Sequence, residues 1–298
     1  MELHRVLITF FLFVFFTSLQ ATPPTDENQG IAFVHGTRDH REDAYGGYWK
    51  TEFIQSVIQR MENPENYFIV HCDFSRYMWH EDAANCTTVQ LLTFIADKNI
   101  SSLTVYTHSD GANIIRWILS NPTYDEKFLR LTHKIKQVIA IAPSSGGTPL
   151  ADEVLNGGVF ETSLAWLLGY ISDAVKQQRV SDMLIFNQEL LLGGKGRPSL
   201  SVPFKVIVGT DVFASPFSSS SYCNGYWHNS GLKIAKLYLD PCSDGFLNCS
   251  SQAEAGDVWF YDLDKTENNI PLSHNQSRHS CFGLDEILLT AIAANGVA

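Results

Sequence analysis

A chain of 298 residues that is 45% hydrophobic and 18% charged can fill a packed core, which excludes a disordered or low-complexity protein. Its formal net charge of −11 and lack of any Lys/Arg cluster speak against nucleic acid or an anionic membrane as the main partner, because nothing in it offers those polyanions a counter-field.

The chain opens on an export signal. Arg5 precedes an apolar run over residues 6–16, small and polar residues follow to Ala21, and Thr22-Pro23-Pro24 comes next. The run falls short of the ~20 residues a spanning helix needs, so residues 1–21 read as a cleaved signal peptide and 22–298 as a single domain. The destination is the extracellular space, or a lysosome or phagosome reached through the secretory pathway. Cysteine usage agrees: Cys72, Cys86, Cys223, Cys242, Cys249 and Cys281 form an even set with no metal-type C-x-x-C pair. Cys242 with Cys249 and Cys72 with Cys86 are the most local disulfide candidates, leaving Cys223 and Cys281. Sequons at Asn85, Asn99, Asn248 and Asn275 are glycosylation candidates.

Ile31-Ala32-Phe33-Val34 is a continuous apolar run of the kind a strand buried on both faces shows, and it ends in His35-Gly36-Thr37. Residues 48–63 carry Phe53, Val57, Ile58 and Met61 at helical spacing, and residues 67–72 read as the next strand. A helix from about residue 87 places Val89, Leu92, Ile95 and Ala96 on one face. Leu103-Thr104-Val105-Tyr106 is a strand that breaks sharply at Thr107-His108-Ser109-Asp110-Gly111. The helix beyond buries Ala112, Ile115, Ile118 and Leu119 and stops at Asn121-Pro122.

Residues 136–142 form another strand, followed by Ser144-Ser145-Gly146-Gly147-Thr148-Pro149-Leu150-Ala151-Asp152. The rhythm then changes. Phe160, Leu164, Leu167, Leu168, Ile171 and Val175 make a helical apolar stripe within residues 153–195, either a core helix or a cap or lid over the sheet. Strands resume at 204–210 and 257–261, and a last helix carries Leu284, Ile287, Leu288 and Ala291. Strands alternating with helices make a doubly wound α/β fold with a mostly parallel sheet.

A strand, a sharp turn and a helix are what a nucleophile elbow requires, and they put Ser109 at the turn. A serine nucleophile needs a base and an orienting carboxylate, which gather beyond the carboxyl ends of parallel strands. Asp244, in the loop Ser243-Asp244-Gly245-Phe246, is the acid on offer, with Asp211 as its competitor. His274 and His279 are both available as the base. His80-Glu81-Asp82 lacks a second histidine one turn on and so does not single out a metal site, and acyl transfer by a serine with its base and acid needs no cofactor.

Over roughly residues 30–290 the chain resembles the α/β-hydrolases, and within them the lipase-like serine esterases. Four stretches carry the likeness: Phe33-Val34-His35-Gly36-Thr37 is similar to the oxyanion turn, Thr107-His108-Ser109-Asp110-Gly111 to the elbow, Gly147-Thr148-Pro149-Leu150-Ala151-Asp152 to a stretch lipases place after the next strand, and Asp244-Gly245-Phe246 to the acid loop. Thr107 departs from the glycine usual at that place. The resemblance implies Ser109 as nucleophile, Asp244 as acid and one of His274 or His279 as base; His274 is favoured because it sits in the loop, whereas His279 falls nearer the last helix. It also implies backbone N–H groups of Thr37 and Asp110 as the oxyanion hole. The implied activity is a lipase or carboxylesterase acting on a lipid or small ester, at a lipid interface if the 153–195 region is a lid. Polyester depolymerisation, thioester cleavage, glycolipid deacylation and a non-catalytic binding protein are the alternatives.

Overall fold

The computed structural model describes residues 28–59, 61–157, 171–214, 226–264 and 271–278. The apolar runs form one parallel sheet: β1 (Gln29–Val34), β3 (Tyr67–Ile69), β5 (Ser102–His108), β6 (Ile135–Ile141), β7 (Phe204–Val208) and β8 (Asp257–Tyr261), in the order β3-β1-β5-β6-β7-β8. A two-stranded antiparallel ribbon of β2 (Arg38–Asp39) and β4 (Asp73–Phe74) stands beside it.

Alternation along each strand divides the core in two. Val34, Val105, Val138 and Val206 point to one face, where they meet Leu91 of α2 (Cys86–Asp97), Ile114 of α3 (Gly111–Ser120) and Phe128 of α4 (Glu126–Thr132). Phe33, Tyr106, Ile139 and Ile207 point to the other face and meet Phe53, Ile54 and Val57 of α1 (Thr51–Ile58). Both faces are covered, which is why the strands read as unbroken apolar runs. A third cluster lies around the carboxyl edge of the sheet. It joins Leu150 and Val154 of α5 (Pro149–Leu155), Val175 of α6 (Asp173–Gln177), Leu232 of α8 (Tyr226–Ala235), and Phe246 with Leu247.

Several elements differ from the sequence reading. The buried face of α2 is Thr87, Thr88, Leu91, Phe94 and Ile95, while Val89 and Ala96 are exposed and Leu92 is half-buried. The helix is turned by about one residue because Thr88 enters the core with its hydroxyl donating to Ala84 O at 2.7 Å. Helix α3 is buried all round from Gly111 to Leu119, Asn113 and Arg116 included, where an amphipathic helix is expected. Arg116 survives there because Nε donates to Leu192 O and Nη1 to Asn187 Oδ1, each at 2.6 Å. Helices α4 and α8 carry too few regularly spaced apolar residues to announce themselves.

In the 153–195 region, Phe160, Leu164, Leu167 and Leu168 lie outside the described residues; Ile171 is exposed and Val175 buried. Helix α6 is tied to the sheet edge, with Ala174 N–H donating to Ser75 O at 3.0 Å. Helix α7 (Val180–Glu189) follows it. The final apolar helix, residues 1–21, Cys223 and Cys281 also lie outside the described residues. Cys72–Cys86 and Cys242–Cys249 are disulfides, the first fastening α2 to the chain beyond β3 and the second closing the acid loop. No described helix is long and apolar enough to cross a membrane.

Candidate active site

The chain runs from β1 outward to β3, then returns to the opposite side of β1 as β5, so the winding direction reverses between β1 and β5. A crevice opens at such a reversal, outside the carboxyl ends of the two strands. Thr37 leaves β1 there and Ser109 leaves β5 there.

Ser109 sits at φ +54°, a left-handed conformation that costs energy for any residue with a side chain. Its backbone is held on three sides: N–H donates to Ile141 O at 3.1 Å, and the carbonyl accepts from Ala112 N–H at 3.2 Å and Ser144 N–H at 3.3 Å. The turn also needs glycine at Gly111 and, in the neighbouring turn after β1, at Gly36. A Cβ on Gly111 would fall on the His35 carbonyl oxygen, and one on Gly36 would strike the Tyr48 hydroxyl and come within 2.8 Å of Ser109 Cβ. Thr107 is fully buried in β5 between Val34 and Ala140, and its hydroxyl has no hydrogen-bond partner. Thr107→Val therefore discards a burial cost and no bond; thermal unfolding should show it neutral or stabilising by up to about 1 kcal/mol, and a loss would reveal a partner for the hydroxyl.

The structure brings Ser109, His274 and Asp244 together. His274 Nε2 accepts from Ser109 Oγ at 3.0 Å, and His274 Nδ1 donates to Asp244 Oδ2 at 2.7 Å, all three residues being buried. Asp244 Oδ1 accepts from Phe246 N–H at 2.9 Å and Leu247 N–H at 2.7 Å, so the carboxylate cannot swing. His274 N–H donates to Asp244 O at 2.9 Å, and the Phe246 ring stacks on the imidazole 4.6 Å away. Asp211 takes no part: its half-exposed side chain pairs with Lys236. His279 lies outside the described residues.

Residues that sequence reasoning passed over complete the arrangement. His108 Nε2 donates to the His274 carbonyl at 2.8 Å and its Nδ1 accepts from the Tyr48 hydroxyl at 2.5 Å. A carbonyl can only accept, so this pair of bonds fixes the tautomer of His108 and locks the His274 loop to the elbow. His35 stands between two carbonyls, Gly36 O 2.8 Å from Nδ1 and Cys72 O 3.1 Å from Nε2, of which a neutral ring can donate to only one; burial above all lowers its pKa to about 3, against the pull of both carbonyls.

Behind the turn lies a buried polar layer. Gln177 Nε2 donates to Asp110 Oδ2 at 2.8 Å, Asn113 Nδ2 to Asp110 Oδ1 at 2.9 Å, and Gln178 Nε2 to Thr37 Oγ1 at 2.7 Å. These bonds set the backbone of Thr37 and Asp110, whose N–H groups are not used by the backbone bonds that build the turns. Burial nevertheless pushes the Asp110 carboxyl up to about 6. The unfolded group titrates near ~3.9, so the stability this proton confers is fully present below that value and is lost as pH rises through about 6, a swing of about 3 kcal/mol. Asp110→Asn removes the titration. Its unfolding free energy relative to the unmodified protein should improve by that order between pH 4 and pH 7.5, and a constant difference in pH-dependent denaturation would contradict the assignment.

Thr37, Arg38, His40, Tyr48, Ser109 and His274 line a pocket together with His228, Phe246, Asn275 and Arg278. The sequon residue Asn275 is occupied inside it: Nδ2 meets His228 Nε2, and Oδ1 accepts from Arg278 Nη2 at 3.0 Å. Asn85 Oδ1 accepts from Lys127 Nζ and Asn248 Oδ1 from Asp240 N–H, while Asn99 is exposed in a turn. Among the described residues no His/Cys/Asp/Glu group has the grouping to hold a metal ion.

No family model and no curated protein matches the chain by sequence. Solved structures do match it. The mature lipase BlEst2 of Bacillus licheniformis superposes with a TM-score of 0.60 at 14% identity, over 92% of this chain and 94% of the lipase. EstA from Clostridium botulinum gives 0.55 at 14% identity, over 91% and 87% of the two chains. Lipase 1 from Pelosinus fermentans gives 0.53 at 14% identity, over 84% and 89%. Likeness at such identity is likeness of fold, and the chain has the α/β-hydrolase fold in the form these lipases and this Clostridium protein share.

Proposed function

We propose that the chain is a serine ester hydrolase with Ser109 as nucleophile, His274 as general base and Asp244 as the orienting acid. One observation carries the reading: the hydrogen-bonded series Ser109 Oγ, His274 Nε2, His274 Nδ1, Asp244 Oδ2 at 3.0 and 2.7 Å, at the reversal point of the sheet. His274 takes the Ser109 proton as Oγ attacks the ester carbonyl, and the N–H groups of Thr37 and Asp110 receive the oxyanion. His274 then protonates the leaving alcohol, an acyl-enzyme remains, and water activated by the same imidazole releases the acid. Aiming preorganised donors at the developing charge is typically worth a few kcal/mol, and Gln177 and Gln178 keep this pair of turns in place.

The substrate in this reading is a lipid or small ester, handled by one domain over residues 22–298 with the 153–195 region bordering the site. Export rests on the signal-like residues 1–21 and the two disulfides, and sequencing the N-terminus of exported protein tests it. A fluorophosphonate probe should label the folded protein and fail on Ser109→Ala. Absence of labelling on folded protein would favour a binding role instead. A panel of nitrophenyl esters of rising chain length, with and without an emulsion, then reads acyl preference and any need for an interface.

A further inference from the structure

The pocket beside Ser109 carries a sign of charge opposite to the chain as a whole. The protein has a formal net charge of −11, yet no Asp or Glu is among the described residues lining this pocket, which include Arg38, Arg278, His40 and His228. Arg278 is the centre of the anomaly. Its guanidinium lies over the Tyr48 ring, 4.1 Å from the centroid, donates from Nη1 to the Tyr48 carbonyl and from Nη2 to Asn275 Oδ1 at 3.0 Å, and leaves Nε buried with no partner. Its acceptors among the described residues are neutral, and no ion pair of the described residues includes it, the Asp43 carboxylate acting on it only from a distance. A guanidinium has five N–H donors, and a half-buried one with a buried Nε and no carboxylate in contact is an arrangement that an incoming anion improves.

The second cation is fixed at a cost. Arg38 follows Thr37 and is held at φ +99°, a conformation an L side chain resists, so the backbone is bent to put this residue at the pocket. Burial is the main cause that lowers Arg278, His40 and His228, the last to about 4; Asp43 offsets part of this for Arg278 and His40, Tyr48 does so for Arg278, and the arginines add smaller lowerings, Arg38 on all three groups and Arg278 on both histidines. The histidines are therefore neutral at pH 7, and the positive charge of the pocket belongs to the arginines.

Position decides which part of a substrate meets this charge. Arg278 closes the same short 3-10 turn, Gln276–Arg278, that follows His274, and His274 is the group that hands a proton to the leaving oxygen. Resting on the ester hydrolase reading above, we infer that the site is selective for esters whose alcohol part bears an anionic group, a phosphate or a carboxylate, received by the guanidinium of Arg278 with Arg38 adding to the field. Planar bidentate recognition of either anion is what arginine does better than lysine.

The test compares butyryl esters of four alcohols on the full chain: 3-phosphoglycerol, glycerate, glycerol and choline. The kcat/KM for the phosphate or carboxylate ester should exceed that for the glycerol ester at least tenfold, with the choline ester lowest, and the phosphate and glycerate arms identify which anion is preferred. Raising NaCl from 50 to 500 mM should compress that ratio. Arg278→Gln should cut the ratio at least fivefold and Arg278→Lys should restore part of it, with melting temperatures recorded for both. On Ser109→Ala, calorimetry should find the preferred anionic ester bound at least tenfold more tightly than the glycerol ester. Equal binding there, or a ratio near one that salt does not change, overturns the inference even if Arg278→Gln fails to fold. Hydrolysis of the glycerol ester without anion preference defeats this inference alone; tight anion binding to Ser109→Ala without turnover or fluorophosphonate labelling of the unmodified chain defeats the hydrolase reading instead.

Discussion

On the proposed triad, Asp244→Asn should lower the kcat of nitrophenyl ester hydrolysis by about 10³- to 10⁴-fold, while Asp211→Asn should leave it within about twofold. The Asp244 carboxylate accepts three hydrogen bonds and donates none: two backbone N–H groups on Oδ1 and His274 Nδ1 on Oδ2. An asparagine has one acceptor oxygen and one NH2, so one donor must now face a donor. Keeping the oxygen on Phe246 and Leu247 turns the NH2 toward His274 Nδ1, which can then bond only as an acceptor. The imidazole proton moves to Nε2, and the nitrogen 3.0 Å from Ser109 Oγ can no longer take its proton. The fold should survive, because the loop bonds and the Cys242–Cys249 bridge remain. Asp211 pairs with Lys236 away from the pocket, and its loss removes only a surface ion pair of small worth. Steady-state kinetics on the two variants decides it. Equal effects would move the acid away from Asp244.

Gly111→Ala should be the most damaging single methyl group in the molecule, costing about 3 kcal/mol or more, which for a domain of this size is a fall in Tm of roughly 10 °C. The added Cβ would meet backbone, the His35 carbonyl oxygen and the Val34 carbonyl oxygen at 2.9 Å, and backbone cannot rotate aside as a side chain can. Relief requires α3 to withdraw from β1. That withdrawal would carry Ser109 with it and separate the Thr37 and Asp110 amides, so whatever folded protein remains should also lose fluorophosphonate reactivity. Thermal unfolding and labelling rates measured together test both halves, and a variant with unchanged Tm would mean that the turn is looser than the contacts at Gly111 require.

The contrast between Thr107 and Gly111 explains how much of the elbow is legible without coordinates. Both flank Ser109 at two residues' distance, and a strict small-residue pattern treats them alike. Only Gly111 faces backbone at contact distance; Thr107 points into the side-chain core of β5, where a β-branched residue fits. Helix α2 shows the same limit from the other side. Threonines at 87 and 88 read as polar, yet both are buried, Thr88 with its hydroxyl satisfied on Ala84 O. A hydrophobic pattern is blind to a polar side chain whose hydrogen bond is met inside its own helix turn.

By itself the sequence determined the parallel sheet, the strand-turn-helix at Ser109, the His-Gly turn after β1 and the order Ser109, Asp244, His274 along the chain. These are local in origin: burial on both faces leaves continuous apolar runs, and a sharp turn leaves small residues at fixed spacing. Only the tertiary structure decided that His274 stands against Ser109 with Asp244 behind it, because that choice rests on contacts between residues 30 and 165 positions apart. The same holds for Gln177 and Gln178 on Asp110 and Thr37, for Tyr48 and His108 bracing the His274 loop, and for Arg278 at the pocket. Glutamine, tyrosine and arginine read in a sequence as ordinary surface residues. They acquire a role from what the fold buries beside them, and burial is a property of the whole chain.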